Sequence, residues 1–133
     1  MMKLSEDIIT TLVKQIKPSY SYVTTCREKI YQTNPNTNTV TCYTIKGDKL
    51  WEFKDESLLT DPRGVTVDNN GNVYVTSCSS NSVVVIEPDG RKDRQILSSD
   101  DGLILPTGIY FDTSKNCLLV TNYNEHSFLY RVC

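Results

Sequence analysis

One histidine and five cysteines occur in the 133 residues, and no two cysteines stand in a C-x-x-C pair. That scarcity argues against zinc, which is held by clustered Cys and His at short spacings, and against a disulfide framework, since the cysteine count is odd. His126 has no Glu-x-x-His or His-x-x-x-His pattern to join. No Gly-x-Ser-x-Gly elbow presents a serine to it as a nucleophile. The six glycines are spread singly, with Gly47, Gly71 and Gly90 at turns, so no glycine-rich loop exists to cradle a phosphate. No apolar run approaches the ~18 residues of a membrane span. After Met1-Met2-Lys3, the acids Glu6 and Asp7 leave no apolar signal-peptide core. At 38% hydrophobic, 23% charged and a net charge of −2, the chain reads as soluble and cytoplasmic, with no membrane partner. In that compartment the thiols are expected to be reduced. Cys42 and Cys117 fall in strands, and Cys78 in a loop, which makes Cys78 the expected reactive thiol. No catalytic residue, cofactor or metal is expected.

What the chain does have is periodicity. Ser21–Thr25 lies over Gly64–Asp68 and over Gly108–Asp112, at offsets of 43 and 44 residues. Lys29–Thr33 continues the match over Asn72–Thr76, and Asn38–Tyr43 over Asn81–Ile86. One inserted residue then restores the third copy through Leu119-Val120-Thr121. A fixed period in this range marks a repeat architecture. Within each copy, β-branched and aromatic runs alternate with Asn, Asp, Gly and Ser clusters, the grammar of strand and turn. The central copy reads as strands at 64–67, 72–76, 82–86 and 95–97. Four antiparallel strands in about 40–45 residues is one propeller blade. The expected fold is all-β, a partial β-propeller of about three four-stranded blades, with repeats over 18–57, 58–100 and 101–133.

The segments Asp61-Pro62-Arg63-Gly64-Val65-Thr66-Val67-Asp68, Gly71–Thr76, Asn81–Ile86 and Pro88-Asp89-Gly90, with Leu105–Asp112 and Leu119–Asn122 in the third copy, resemble the NHL-repeat propellers of tripartite-motif (TRIM) proteins. The first copy departs, with Ser19 in the place of Pro62 and Thr25 in the place of Asp68 and Asp112. The resemblance implies a six-bladed type of ring, present here in part. It also implies a non-catalytic protein-interaction module, of the kind that recruits substrates to a ubiquitin ligase. The zinc-binding RING and B-box of such ligases need clustered Cys and His, which this chain lacks. Some NHL relatives bind RNA instead, and some propellers near them are lyases or metal enzymes, whose sites need several His, Asp, Asn and Glu side chains. Asn34, Asn122 and Glu125 are too few for that.

Strand arithmetic gives four, four and three strands for the copies. Residues 1–17 admit two readings. Ile8–Leu12 holds the repeat position of Leu50–Phe53, an outer strand. Leu4, Ile8, Leu12 and Ile16, with Ser5 before them and Pro18 after, equally suit an amphipathic helix. As a strand, this segment could complete the last blade of a second copy and close a homodimeric six-bladed ring.

In a propeller the loops between second and third strands share one face, here called the top, with the connectors between blades. The top carries Lys14, Lys17, Lys54 and Arg63 against Asp55, Glu56, Asp61, Asp100, Asp101 and Glu125. This acidic balance disfavours RNA, which needs a positive field, and favours a protein partner. Binding is expected on the top loops at Asn34, Asn36, Arg63, Ser79, Asn81, Asn122, Tyr123, Glu125 and His126. Trp51 and Phe53 are expected to pack blade on blade. Val65, Val67, Val73, Val75, Ile109, Leu119 and Val120 are expected in the core.

Overall fold

A computed structural model describes residues 22–123 and the backbone of 129–132. Among the described residues, eleven strands form three antiparallel sheets in chain order. The first blade holds β1 (Val23–Cys26), β2 (Lys29–Asn34), β3 (Thr39–Thr44) and β4 (Lys49–Lys54). The second holds β5 (Pro62–Val67), β6 (Val73–Ser77), β7 (Ser82–Ile86) and β8 (Asp93–Leu97). The third holds β9 (Pro106–Asp112), β10 (Cys117–Asn122) and β11 (Leu129–Val132), in the order β11-β10-β9. The four-four-three arrangement expected from the repeats is present among the described residues. Residues 1–17, with their strand and helix readings, lie outside them, as do Glu125 and His126.

Turn chemistry explains why the first copy diverges. Asp68 Oδ1 accepts from the backbone N–H of Asn70 at 2.9 Å and of Asn72 at 3.0 Å, closing the β5–β6 turn. Asp112 Oδ1 does the same for Ser114 at 3.0 Å and Lys115 at 3.2 Å. Aspartate is favoured there because its side chain imitates a backbone turn. The β1–β2 hairpin instead turns on Arg27 and Glu28, both at positive φ (48° and 69°). A two-residue turn of this hand matches the strand twist directly and needs no carboxylate, so Thr25 suffices.

Blades pack face to face in two clusters. Tyr31, Val40, Cys42 and Phe53 of the first blade meet Val65, Val67, Val73, Val75, Val84 and Ile86 of the second, with Leu59 between. Val83 and Leu97 of the second blade meet Phe111, Leu118 and Val120 of the third, with Leu103 between. Val65, Val67, Val73, Val75 and Val120 are buried as expected, but Ile109 and Leu119 are only half-buried. The β9–β10 hairpin is one residue longer than its counterpart, so Leu118 and Val120 hold the places of Val73 and Val75. Strand alternation then puts Leu119 on the opposite face.

Hydrogen bonds link the inner ends of the blades. Thr33 Oγ1 donates to Arg63 O at 2.6 Å, and Thr76 Oγ1 to Thr107 O at 3.3 Å. The backbones approach so closely that a Cβ on Gly64 would lie 2.2 Å from Thr107 O; glycine is obligatory here.

Five reduced thiols were expected, and this is corrected. Cys26, Cys42 and Cys78 are free, whereas Cys117 is disulfide-bonded. Spacing in sequence does not report which strands a fold brings together. Cys78 is buried, and burial pushes its thiol pKa upward, so it lacks the thiolate character of a reactive cysteine. Among the described residues, no helix is long and apolar enough to cross a membrane.

Candidate functional site: the loop face

The top loops are held by one device used twice. Asn38 and Asn81 adopt left-handed backbone (φ 57° and 51°) at the turns between second and third strands. Their Oδ1 atoms accept from the N–H of Asp61 and of Leu105, both at 2.8 Å. Asp61 and Leu105 are themselves left-handed (φ 50° and 47°), each just before the proline that opens the next inner strand. Their carbonyls then accept from Cys78 N at 3.1 Å and Tyr123 N at 3.0 Å. A bulky residue at positive φ is costly and persists only where its surroundings enforce it. Here two hydrogen bonds from neighbouring loops do so.

A second pairing anchors the connectors between blades. Ser77 Oγ accepts from Thr60 N at 2.8 Å and lies 2.9 Å from Leu58 O. At the same place in the third blade, Asn122 Oδ1 accepts from Ile104 N at 3.0 Å, and its Nδ2 donates to Gly102 O at 3.3 Å. The longer amide does for one connector what the hydroxyl does for the other.

Several residues expected to bind also brace the loops. Asn81 and Asn122 are committed to loop backbone, and Asn122 is buried. Asn34 Oδ1 accepts from Asn36 N at 3.0 Å in a local turn, leaving the Asn36 side chain exposed. Arg63 donates Nε and Nη2 to the Asp61 carboxylate, at 3.2 and 2.9 Å, and this partner raises its pKa. Ser79 is exposed, its Oγ at 3.5 Å from Asp61 Oδ2. Of the described candidates, Asn36, Ser79 and Tyr123 present side chains to solvent.

Sequence reasoning missed what surrounds Tyr123. Ile104 (58% exposed), Leu105 (44%) and Tyr123 (61%) share one corner of the top, joined by the Tyr123–Leu105 backbone bond. Large apolar side chains held rigidly in water at one spot are a mark of an interaction surface. Ile104 and Leu105 precede a proline in a connector, and that left-handed leucine is a signal readable only once its φ is known. Acidic Asp100 and Asp101 border the corner through a capped turn, Ser98 N donating to Asp101 Oδ2 at 2.9 Å. The cations of the described top are occupied: Arg63 pairs with Asp61 at 2.9 Å and Lys54 with Glu56 at 3.4 Å.

The outer rim presents a different feature. A cavity of about 420 Å³ between the second and third blades is lined by Tyr74, Arg94, Ile96, Phe111 and Leu118, with Asp68, Asn70 and Asn116 at its polar end. Tyr74 stacks on Phe111 at 5.7 Å, and its hydroxyl donates to Asp68 Oδ2 at 2.9 Å. Burial, reinforced by that carboxylate, pushes the Tyr74 pKa up to about 12. Among the described residues no group of three His, Cys, Asp or Glu side chains converges to hold a metal.

These features define an incomplete β-propeller. Residues 58–82 match the family described as a β-propeller repeat. Of solved structures, a chain of the nidogen/laminin complex superposes with a TM-score of 0.69 at 20% identity, over 78% of this chain and 39% of that one. A streptogramin B lyase gives 0.64 at 18% identity, covering 82% and 38%. A catalytically inactive virginiamycin B lyase from Staphylococcus aureus, bound to quinupristin, gives 0.62 at 22%, covering 82% and 39%. The chain thus spans about two-fifths of the length of these structures, and likeness at such identities speaks for fold alone. No curated protein sequence matches it.

Proposed function

We propose that the chain is part of a non-catalytic propeller that binds a protein partner through the top of its second and third blades. This is the role that NHL propellers of TRIM-type ligases fill in recruiting substrates, and the repeat segments around Asp61–Asp68 and Leu105–Asp112 support that finer reading. The observation that carries the proposal is the exposed corner of Ile104, Leu105 and Tyr123, fixed on braced loops. Pre-organised apolar and aromatic anchors bind with little ordering cost. An RNA ligand would need cations free to meet phosphates, and the described top cations are already engaged by acids.

The test compares wild-type protein with Ile104→Asp and Tyr123→Asp as bait in affinity capture, with and without ribonuclease. The proposal expects a protein retained by wild type, lost by both variants and indifferent to ribonuclease. Retention that ignores both substitutions, or that vanishes with ribonuclease, contradicts it.

A further inference from the structure

The rim of the first junction is filled by an indole, and that of the second holds a cavity. In the first, Trp51 of β4 packs on the cluster that contains Val67 and Val73, and its Nε1 donates to Pro88 O at 3.2 Å. In the second, register places Arg94 of β8 where Trp51 stands, since Trp51 pairs with Cys42 and Arg94 with Val85, its counterpart. Phe111 and Leu118 hold the places of Val67 and Val73. Arg94 is exposed, and with Ile96, Phe111 and Leu118 it lines the cavity of about 420 Å³.

The lining divides by chemistry. One wall is apolar: the Tyr74 ring, nearly parallel to Phe111 at 15° and 5.7 Å, with Ile96 and Leu118 beside them. The positive charge is that of Arg94, which makes no ion pair among the described residues. Asp68, the carboxylate of the lining, is saturated. Its Oδ1 accepts from the N–H of Asn70 and of Asn72, and its Oδ2 from Asn72 Nδ2 at 3.0 Å and the Tyr74 hydroxyl at 2.9 Å. Four donors leave it none of its hydrogen-bonding capacity for a guanidinium.

We infer that this cavity binds a small aromatic carboxylate, its anionic group held by Arg94 and its ring laid against the wall of Tyr74, Phe111 and Leu118. The planar fork of N–H donors on arginine matches a carboxylate, and an apolar pocket with a few polar groups is the form of a small-ligand site. Neither half suffices alone. An exposed guanidinium holds a bare anion weakly in water, and the same charge repels an aromatic cation. The site stands apart from the top loops, since Asn70 and Asn116, at its polar end, belong to the turns of the opposite face.

Isothermal titration calorimetry of the full chain with phenylacetate tests this. Wild type is expected to saturate at one molecule per chain below millimolar concentration, and to give no binding heat with acetate or with phenethylammonium. Arg94→Gln should weaken phenylacetate binding by about tenfold or more. Arg94→Trp, which gives the second junction the side chain of the first, should abolish it. Far-UV circular dichroism checks that strands persist; should Arg94→Trp lose them, Arg94→Gln carries the test. Absence of phenylacetate binding to wild type overturns the proposal, as does binding that neither Arg94 variant weakens. Equal binding of acetate or of phenethylammonium overturns it as well.

Discussion

The first junction is sealed and the second is not, although both are built from the same repeat. Tyr31 and Tyr74, Val40 and Val83, Phe53 and Leu97, Leu59 and Leu103 hold matching places in the two clusters. The difference lies at the rim. There Tyr31 meets its own blade's Trp51, with ring centroids at 6.2 Å, whereas Tyr74 stacks on the next blade's Phe111. In the second junction Arg94 stands in the tryptophan's place and Phe111 in that of Val67, so the tyrosine has a ring across the junction to stack on, and a cavity borders it. The shared positions are the ones that hold blades together. The rim position differs between them, Trp51 in one and Arg94 in the other.

The largest expected effect tests the sameness. Leu59 and Leu103 are both fully buried between blades, so Leu59→Ala and Leu103→Ala should each cost about 2–5 kcal/mol in chemical denaturation. A large cost at one and none at the other would break the equivalence of the junctions.

The rim comes next. Trp51→Ala should cost about 3 kcal/mol, at the low end for a tryptophan because the ring is half-buried. Arg94→Ala, measured on dilute protein, should stay within about 0.5 kcal/mol, as exposed substitutions do. Equal losses at the two positions would erase the distinction drawn between them.

Gln32 sharpens the comparison from the other side of the first blade. It occupies the place of Val75 and Val120, is buried, and neither amide atom has a hydrogen-bond partner among the described residues. Gln32→Val should therefore stabilise the protein by about 1–2 kcal/mol, the penalty of an unpaired buried polar group. Destabilisation would mean that the amide has a partner in solution.

The smallest effect depends on pH. Asp93 opens β8, and its buried Oδ2 faces the carboxylate of Asp55, which follows β4, with no N–H or O–H donor. The contact becomes a hydrogen bond only when one of the two holds a proton. Burial, then Asp55, raises the Asp93 pKa to about 6, while Asp55 itself is lowered, chiefly by its bond from Ser57. A raised carboxyl pKa means that the folded state binds the proton more tightly than the unfolded one. The stabilisation is present below the ordinary carboxylate range and lost as pH rises through about 6. Asp93→Asn should therefore raise the melting temperature at pH ~7.5 and leave it little changed at pH ~4. A gain of equal size at both pH values would contradict the pairing.

Much of this fold was legible in the sequence because repeats disclose it three times over. The strands, the turns at Asp68 and Gly90, and the count of four, four and three follow from period and β-branched runs. Leu119 was misplaced because one residue added to a hairpin reverses which side chains face inward, and an offset of one is easily absorbed in an alignment. The site was less legible. Asn81 and Asn122 look like free polar loop residues in sequence, and only the fold shows them bonded to neighbouring connectors. Ile104 and Leu105 stand out as exposed anchors only once the left-handed backbone at Leu105 is known. Cys78 looked accessible because its loop is polar, yet the loop folds over it.

Trp51 is the sole tryptophan, so acrylamide quenching of its fluorescence reads the first junction without interference. Gly90→Val would drive a side chain into the indole at a backbone φ of 75°, which disfavours anything but glycine. A shielded tryptophan in the wild type, released to the quencher in Gly90→Val while the strand signal persists, is the result expected if Trp51 seals that junction. Equal quenching in the two proteins would contradict it.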